Sequence, residues 1–187
     1  RLEIDQKWLA QQGANIPPDV IEEALSQAEL QAVKRLDSIA EARARLYLAI
    51  QYLVVLGNVL MVLPSKQGMP PEVYGPRRYA VRLTGAGDIK CLVTRECLRF
   101  DELDQKVQES LQASTNRYQP DTKVELFKSI ERQATGGYVM TQWIDSTQLP
   151  EEFSGAWKDS DALPYRTLVW NRRDGNNYGT GLVEDYA

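Results

Sequence analysis

The sequence contains no histidine, so it lacks both the commonest general base and the commonest metal ligand. A Ser-His-Asp or Cys-His catalytic arrangement is thereby excluded. Cysteine is scarce as well: Cys91 and Cys97 are the only two. They read as reduced thiols, one on a strand and one just after it, and without a partner histidine they do not describe a zinc site. Nor do two cysteines outline a secreted disulfide framework. Cations are in deficit, 22 Lys+Arg against 26 Asp+Glu, for a net charge of −4. A general nucleic-acid binder needs the opposite balance. Catalytic residues: none expected; cofactor: none; metal: none.

No uninterrupted apolar run reaches the roughly 20 residues a membrane helix requires. The greasiest stretch, "LYLAIQYLVVLGNVLMVLP" (residues 46–64), is broken by Gln51 and by Gly57-Asn58. Before Gly57 its Leu/Ala/Ile/Tyr mixture suits a buried helix. After it, "VLMVL" is a short apolar run of the kind that forms a fully buried strand. Gly57 is placed to end the helix in a left-handed conformation, and Pro64 to end the strand. The stretch reads as core, with no membrane contact.

The 187 residues, 43% hydrophobic and 26% charged, fit one ordinary domain. Upstream of the apolar stretch, residues 17–45 read as helix, with Pro17-Pro18 leading in and Asp19 as N-cap. Ile21, Leu25, Ala28, Ala32, Leu36 and Ile39 make its stripe. A break is expected near residues 37–41, with Asp37 or Ser38 recapping. Residues 65–78 read as a loop. A hairpin follows from Tyr79 through "TGAGD" to Val93, then a surface helix over 100–114 carrying Leu103, Val107 and Leu111. A second hairpin spans residues 123–146. Residues 147–164 read as an acidic loop that buries Phe153 and Trp157. A last strand (165–173), a turn in which Gly175, Asn176 and Asn177 supply positive φ, and the start of a helix complete the chain. The expected class is α+β, a helical N-terminal third followed by antiparallel hairpins. Residues 1–64 form the helical segment ending in a buried strand, and 65–187 the hairpin-rich part of the same domain. The opening residues show no initiator Met or signal-peptide core, and both ends read as cut from a longer polypeptide.

Few motifs suggest chemistry. "TGAGDIK" (84–90) has a Gly-x-Gly pair, but Lys90 stands where a dinucleotide fingerprint needs its third glycine, and β-formers follow where a helix should start. Acid pairs such as Asp101/Glu102, Glu151/Glu152 and Glu184/Asp185 lack a nucleophile or ligand pattern beside them. "NRRDGNNYGTG" (171–181) is the most pointed polar cluster. Its Arg172 and Arg173 could meet a carboxylate or phosphate, or simply flank a hydrated turn.

Three segments, in order, resemble the portal (head-to-tail connector) proteins of short-tailed, podovirus-type phages. They are "LVVLGNVLMVLP", "RRYAVRLTGAGDIKCLVTRECLRFDEL" and "LPYRTLVWNRRDGNNYGTGLVEDY"; the resemblance runs over about residues 40 to 187, and across 110 to 160 only the hairpin pattern agrees. The resemblance implies a wing-region piece of a dodecameric ring, a channel at one capsid vertex. The stem, clip and crown of such proteins lie outside this piece. Implied partners are further copies of the chain, capsid protein, tail adaptor, packaging motor and double-stranded DNA that passes without sequence-specific binding. The implied place is the virion, after assembly in the host cytoplasm, and the implied role is structural rather than enzymatic. Gly57, Asn58 and Gly179 then read as structural residues. Arg77, Arg78, Arg172 and Arg173 become candidate subunit contacts, set against the acidic loop that carries Phe153 and Trp157. Two other readings stay open on the residues themselves: a non-viral α+β adaptor that binds through Phe153 and Trp157, and an enzyme built on an acid pair.

Overall fold

The computed structural model describes residues 17–66, 68–114, 118–172 and 176–186. Two helices come first, α1 (Pro18–Ser38) and α2 (Ala42–Leu56). The break between them falls where the sequence suggests, but neither Asp37 nor Ser38 recaps α2. Asp37 instead receives the guanidinium of Arg43 at 2.6 Å, and the Ser38 hydroxyl donates to the Arg35 carbonyl. Glu41, at φ 62°, turns the chain into α2. At the start of α1 the cap position is Pro17, and Asp19 lies inside the first turn, where its carboxylate still faces the positive end of the dipole.

Strand β1 (Asn58–Val62) leaves α2 directly through Gly57. It is the middle strand of a three-stranded antiparallel sheet, between β2 (Glu72–Tyr74) and β9 (Tyr165–Val169). Both of its faces are covered. Val59 packs with Ala49 of α2 and Val73, while Leu60 packs toward a second sheet, and both are fully buried. That is why the run is apolar at consecutive positions rather than alternating. β2 falls inside the expected 65–78 loop; three residues after a Pro-Pro pair carry no periodicity, and its pairing with β1 supplies the strand.

The second sheet is six-stranded and antiparallel. Its path is β3 (Tyr79–Leu83), β4 (Ile89–Arg99), β5 (Lys123–Arg132), β6 (Tyr138–Ile144) and β7 (Thr147–Gln148), with β8 (Gly155–Trp157) also pairing with β6. β4 is longer than the expected return strand, so Cys97 lies on it rather than after it; both cysteines are free. The loop expected over 147–164 contains β7, β8 and a 3-10 turn (Glu151–Phe153). The expected surface helix starts with a 3-10 turn (Phe100–Glu102) and continues as α3 (Gln105–Ser114), with Leu103, Val107 and Leu111 all buried.

Register aligns the even-numbered residues of β4 from Leu92 onward with those of β5 and β6 on one face, the inner one, while a register shift beside Leu83 brings Ile89 to that face instead of Lys90. At one end Leu92, Ile130 and Tyr138 join Leu60, Tyr74 and Tyr165 of the smaller sheet. At the other end Val124, Leu126 and Ile144 pack beneath α3 with Leu103, Val107 and Leu111. Between these two clusters lie Glu96 and Lys128 on the same face. The last expected strand is split. Trp170 interrupts it, and β10 (Asn171–Arg172) turns away to pair with β11 (Gly179–Thr180) before α4 (Leu182–Tyr186), which packs on α2.

Ile130, fully buried and central to the inner face, sets the scale of this packing. Ile130→Ala should lower stability by about 2–5 kcal/mol in urea denaturation, because the surrounding strands cannot collapse onto the cavity. A loss under about 1 kcal/mol would mean that the two sheets are not packed as described.

Candidate functional site

The tightest structural site is the crossing of Gly57-Asn58 with residues 178–181. Gly57 is left-handed (φ 72°) and closes α2 by donating its N–H to the Leu53 carbonyl at 3.0 Å. Any β-carbon there would drive into the backbone of Thr180 and Gly181. One on Gly181 would drive into the Val55 carbonyl, and one on Gly179 into Val169 and the Asn171 carbonyl. Three glycines therefore let two backbone segments touch. Asn58, only 5% exposed, joins them with its side chain. Its Nδ2 donates to the carbonyls of Leu56 (2.9 Å) and Gly179 (2.7 Å), and its Oδ1 accepts the Gly179 N–H at 2.7 Å. The amide so completes what a neighbouring strand would supply. On the far side the Gly57 carbonyl accepts the Trp170 N–H at 2.9 Å. Asp185 of α4 holds the other flank, accepting from the Thr180 hydroxyl at 2.7 Å and from Asn171 at 3.1 Å. The three residues expected to be structural, Gly57, Asn58 and Gly179, meet at this one point.

The same segment covers an exposed sheet edge. β3 is the outermost strand of the larger sheet, and its outward N–H groups need acceptors. Val81 donates to the Tyr178 hydroxyl (2.9 Å) and Leu83 to Asn177 Oδ1 (2.8 Å). Asn177 does not have positive φ; Glu41 and Asp145 are the non-glycine residues that do among those described, and Gly175 lies outside them. Asn177 thus works as an acceptor rather than a turn former. Sequence reasoning missed Gly181, Asn177 and Tyr178; the density of small and amide residues in "NNYGTG" was the available signal.

A polar cluster interrupts the inner face between the two apolar clusters. Glu96 accepts from Lys128 at 2.9 Å and from the Tyr74 hydroxyl at 2.7 Å, and Tyr74 also lies 2.6 Å from Glu72. Arg78 stands over the Tyr74 ring, 4.9 Å from its centroid. Burial alone would raise the Glu96 pKa, but the Lys128 ammonium and the hydrogen bonds from Lys128 and Tyr74 outweigh it, and the carboxyl is held below its ordinary range. Burial, then the bonds to Glu72 and Glu96, push the Tyr74 hydroxyl upward, so it stays a donor.

The arginines expected to act together are dispersed. Arg77 is exposed on the 3-10 turn Pro76–Arg78 and forms no ion pair among the described residues. Arg78 is spent on Tyr74. Arg172 donates to the Thr84 carbonyl at 3.3 Å, on the β3–β4 turn of its own subunit. Arg173 lies outside the described residues. Phe153 is half-buried against the α3 cluster, and Trp157 meets Tyr165 edge-on at 5.9 Å. Among the described residues, no group of three His, Cys, Asp or Glu side chains is arranged to hold a metal, and no helix is long and apolar enough to cross a membrane.

The features with the sharpest geometry are packing features. The chain belongs to the bacteriophage head to tail connecting protein family, whose model matches residues 1–187. It is similar to the portal protein of Enterobacteria phage T3, at 26% identity over 169 residues, covering 89% of this chain and 31% of the relative. Its likeness to the portal protein of Escherichia phage T7 is 25% over 170 residues, with the same coverage of each. The portal protein of Pseudomonas phage phiKMV matches at 27% over 166 residues, 87% of this chain and 32% of the relative. The chain thus spans about a third of the length of these relatives.

Asn58→Leu should destabilise the fold by about 2–4 kcal/mol, because the Gly179 N–H and C=O are left unpaired at about 1–3 kcal/mol each. Gly57→Ala should cost at least about 2 kcal/mol, from the left-handed backbone and the collision with Thr180. Urea midpoints unchanged by either variant would refute the junction. For the polar cluster, the depressed Glu96 pKa contributes stability that is complete above the ordinary carboxylate range, about 4.3. That contribution is lost as pH falls through the lower folded value. Lys128→Met should remove it and leave a buried carboxylate uncompensated, a loss of about 1–3 kcal/mol at neutral pH after allowance for partial exposure. The deficit should shrink on acidification toward pH 3. A deficit that stayed constant from pH 7 to 3 would refute the coupling.

Proposed function

We propose that this chain is the wing part of a portal subunit, and that the whole protein forms a dodecameric ring at one vertex of the capsid. In this reading the packaging motor drives double-stranded DNA inward through the ring, the genome leaves by the same channel, and the tail adaptor attaches to it. The observation that carries the reading is the match of the head-to-tail connecting family along the entire chain. The role is structural, and no catalytic step is assigned to any residue. The −4 net charge suits a wall past which DNA slides without sequence-specific grip. The protein would sit at the head-tail junction of the virion, after assembly in the host cytoplasm and without a membrane.

Ring closure requires two different, complementary patches on every copy. Arg77, Arg172 and Arg173 are the proposed cationic contacts, and Arg78 supports them from its place on the Tyr74 ring. Their proposed counterpart is the acidic segment 151–161, where Glu151, Glu152, Asp159 and Asp161 are exposed around Phe153 and Trp157.

Native mass spectrometry and negative-stain imaging of the full-length protein test this function. Closed rings of about a dozen subunits with a central hole are expected. A monomer or dimer at micromolar concentration would overturn it and favour a protein-binding adaptor instead.

A further inference from the structure

Among the described residues, two surfaces have no occupant, and they match. The first is the outward side of α2. Residues 46–65 contain no charged side chain, although α2 buries only one face, through Ala42 and Ala49. Residues 43, 47, 50 and 54 follow one another at i+4, i+3 and i+4, so they form a single stripe. Tyr47 is 72% exposed and Ile50 56% exposed, and Arg43 stands at the head of the stripe. A tyrosine and an isoleucine held out from a rigid helix in this way are what a binding face presents. The surrounding segment 34–45 is net basic, with Lys34, Arg35, Arg43 and Arg45 against Asp37 and Glu41.

The second surface is a groove of about 620 Å³ between the start of α3 and the inner face of the six-stranded sheet. Its walls are Leu98, Val107, Met140, Leu149 and Phe153, and the Glu96–Lys128 pair lies on its floor. The rim is acidic: Glu102, Asp104 and Glu152 against Lys106. The groove opens because the inner face carries charge at the very place where the two apolar clusters separate, so neither layer closes over it. No residue of α2 lines it, so the stripe and the groove are separate surfaces of one molecule.

We propose that the α2 stripe of one copy seats in the groove of the next, with Tyr47 and Ile50 entering the apolar trough and Arg43, whose Nε and Nη2 hold Asp37 of its own copy, meeting Glu152 on the rim through Nη1. The occupant is a second copy of this chain. Shape places apolar side chains against apolar walls, and the basic segment faces the acidic rim. Two unlike patches of this kind join head to tail, the arrangement that closes a ring rather than a two-fold dimer. The proposal rests on the portal reading for its symmetry and adds to it the contact itself. It also gives Phe153 and Glu152 a place on the accepting side.

The test uses the full-length protein with Cys91→Ser, Cys97→Ser and every cysteine outside residues 1–187 likewise replaced by serine. Two differently tagged versions, Ile50→Cys and Glu152→Cys, are co-expressed and mildly oxidised. Both substituted side chains are exposed, so folding is retained, and matching circular dichroism verifies it. A disulfide between unlike copies is expected, with neither variant cross-linking to itself, and the double variant should give a ladder of oligomers. Closed rings without a 50–152 cross-link would overturn the contact and leave the portal reading intact. Self-cross-linking of Ile50→Cys would overturn it by showing helix packed on helix. A 50–152 cross-link in a protein that never closes into rings would support the contact and count against the ring. Absence of both would remove both. As a second measurement, Arg43→Glu and Glu152→Arg should each weaken assembly at least severalfold and restore it when combined.

Discussion

The crossing of Gly57-Asn58 over Gly179–Gly181 is the constraint on which the rest of the structure depends. A helix packed on a sheet can be followed at once by a buried strand of that sheet only if the chain reverses within a residue or two. The left-handed Gly57 makes that reversal, but it also exposes backbone that no regular element can satisfy. The C-terminal segment resolves this by lying directly against it, and the amide of Asn58 exchanges donor and acceptor with Gly179 across 121 residues of sequence. The same segment supplies the Gly57 carbonyl with the Trp170 N–H and caps the outward edge of β3 through Asn177 and Tyr178. One short stretch therefore closes the helix, completes the small sheet and shields the large one.

The second organising fact is the polar interruption on the inner face. Were residues 96 and 128 apolar, the two clusters could merge into one continuous core, and burial alone would add stability. A partly buried ion pair is weak evidence for stability, since desolvation offsets much of its attraction. What the pair does instead is separate a sandwich core, where the two sheets meet, from a helix-on-sheet core under α3. It also keeps the space between them open and polar enough to remain accessible. Tyr74 and Arg78 tie this cluster to the smaller sheet, so its position is fixed from three strands.

The helix-Gly-Asn-strand passage was legible because its signals are local: the apolar run changes character at a glycine, and Pro64 ends it. Both hairpins and the Leu103/Val107/Leu111 line were legible for the same reason, since alternation and i+4 spacing act within a few residues. What could not be seen is whatever depends on partners far along the chain. β2 is three residues without a pattern, and it exists because β1 offers an edge. Gly181 must be small because the Val55–Gly57 backbone, more than 120 residues away, lies against it, and Gly179 because Val169 and Asn171 do. The cationic cluster at 171–173 looked like one surface, yet Arg172 turns back to Thr84, because the β3–β4 turn lies beside it in space and nowhere near it in sequence. Glu96 and Lys128 read as ordinary alternating strand residues; only the register β4–β5–β6 puts them side by side.

These points bear on how such a piece can serve a connector. The backbone crossing at Gly57-Asn58 holds α2, the small sheet and the edge of the large sheet in one arrangement. The proposed head-to-tail contact adds a separate demand, because every copy must carry two unlike faces, each stable and exposed before its neighbour arrives. An apolar helix stripe and an apolar groove meet that demand without aggregation only if each is small and bordered by charge, so that wrong pairings leave carboxylates or guanidiniums uncompensated. Arg43 beside Tyr47, and Glu102, Asp104 and Glu152 around the groove, are placed to impose that penalty. The charged residues that interrupt the core are then part of what makes the surface selective. The same glycine crossing that fixes α2 on its sheet also fixes the direction in which its outer stripe points.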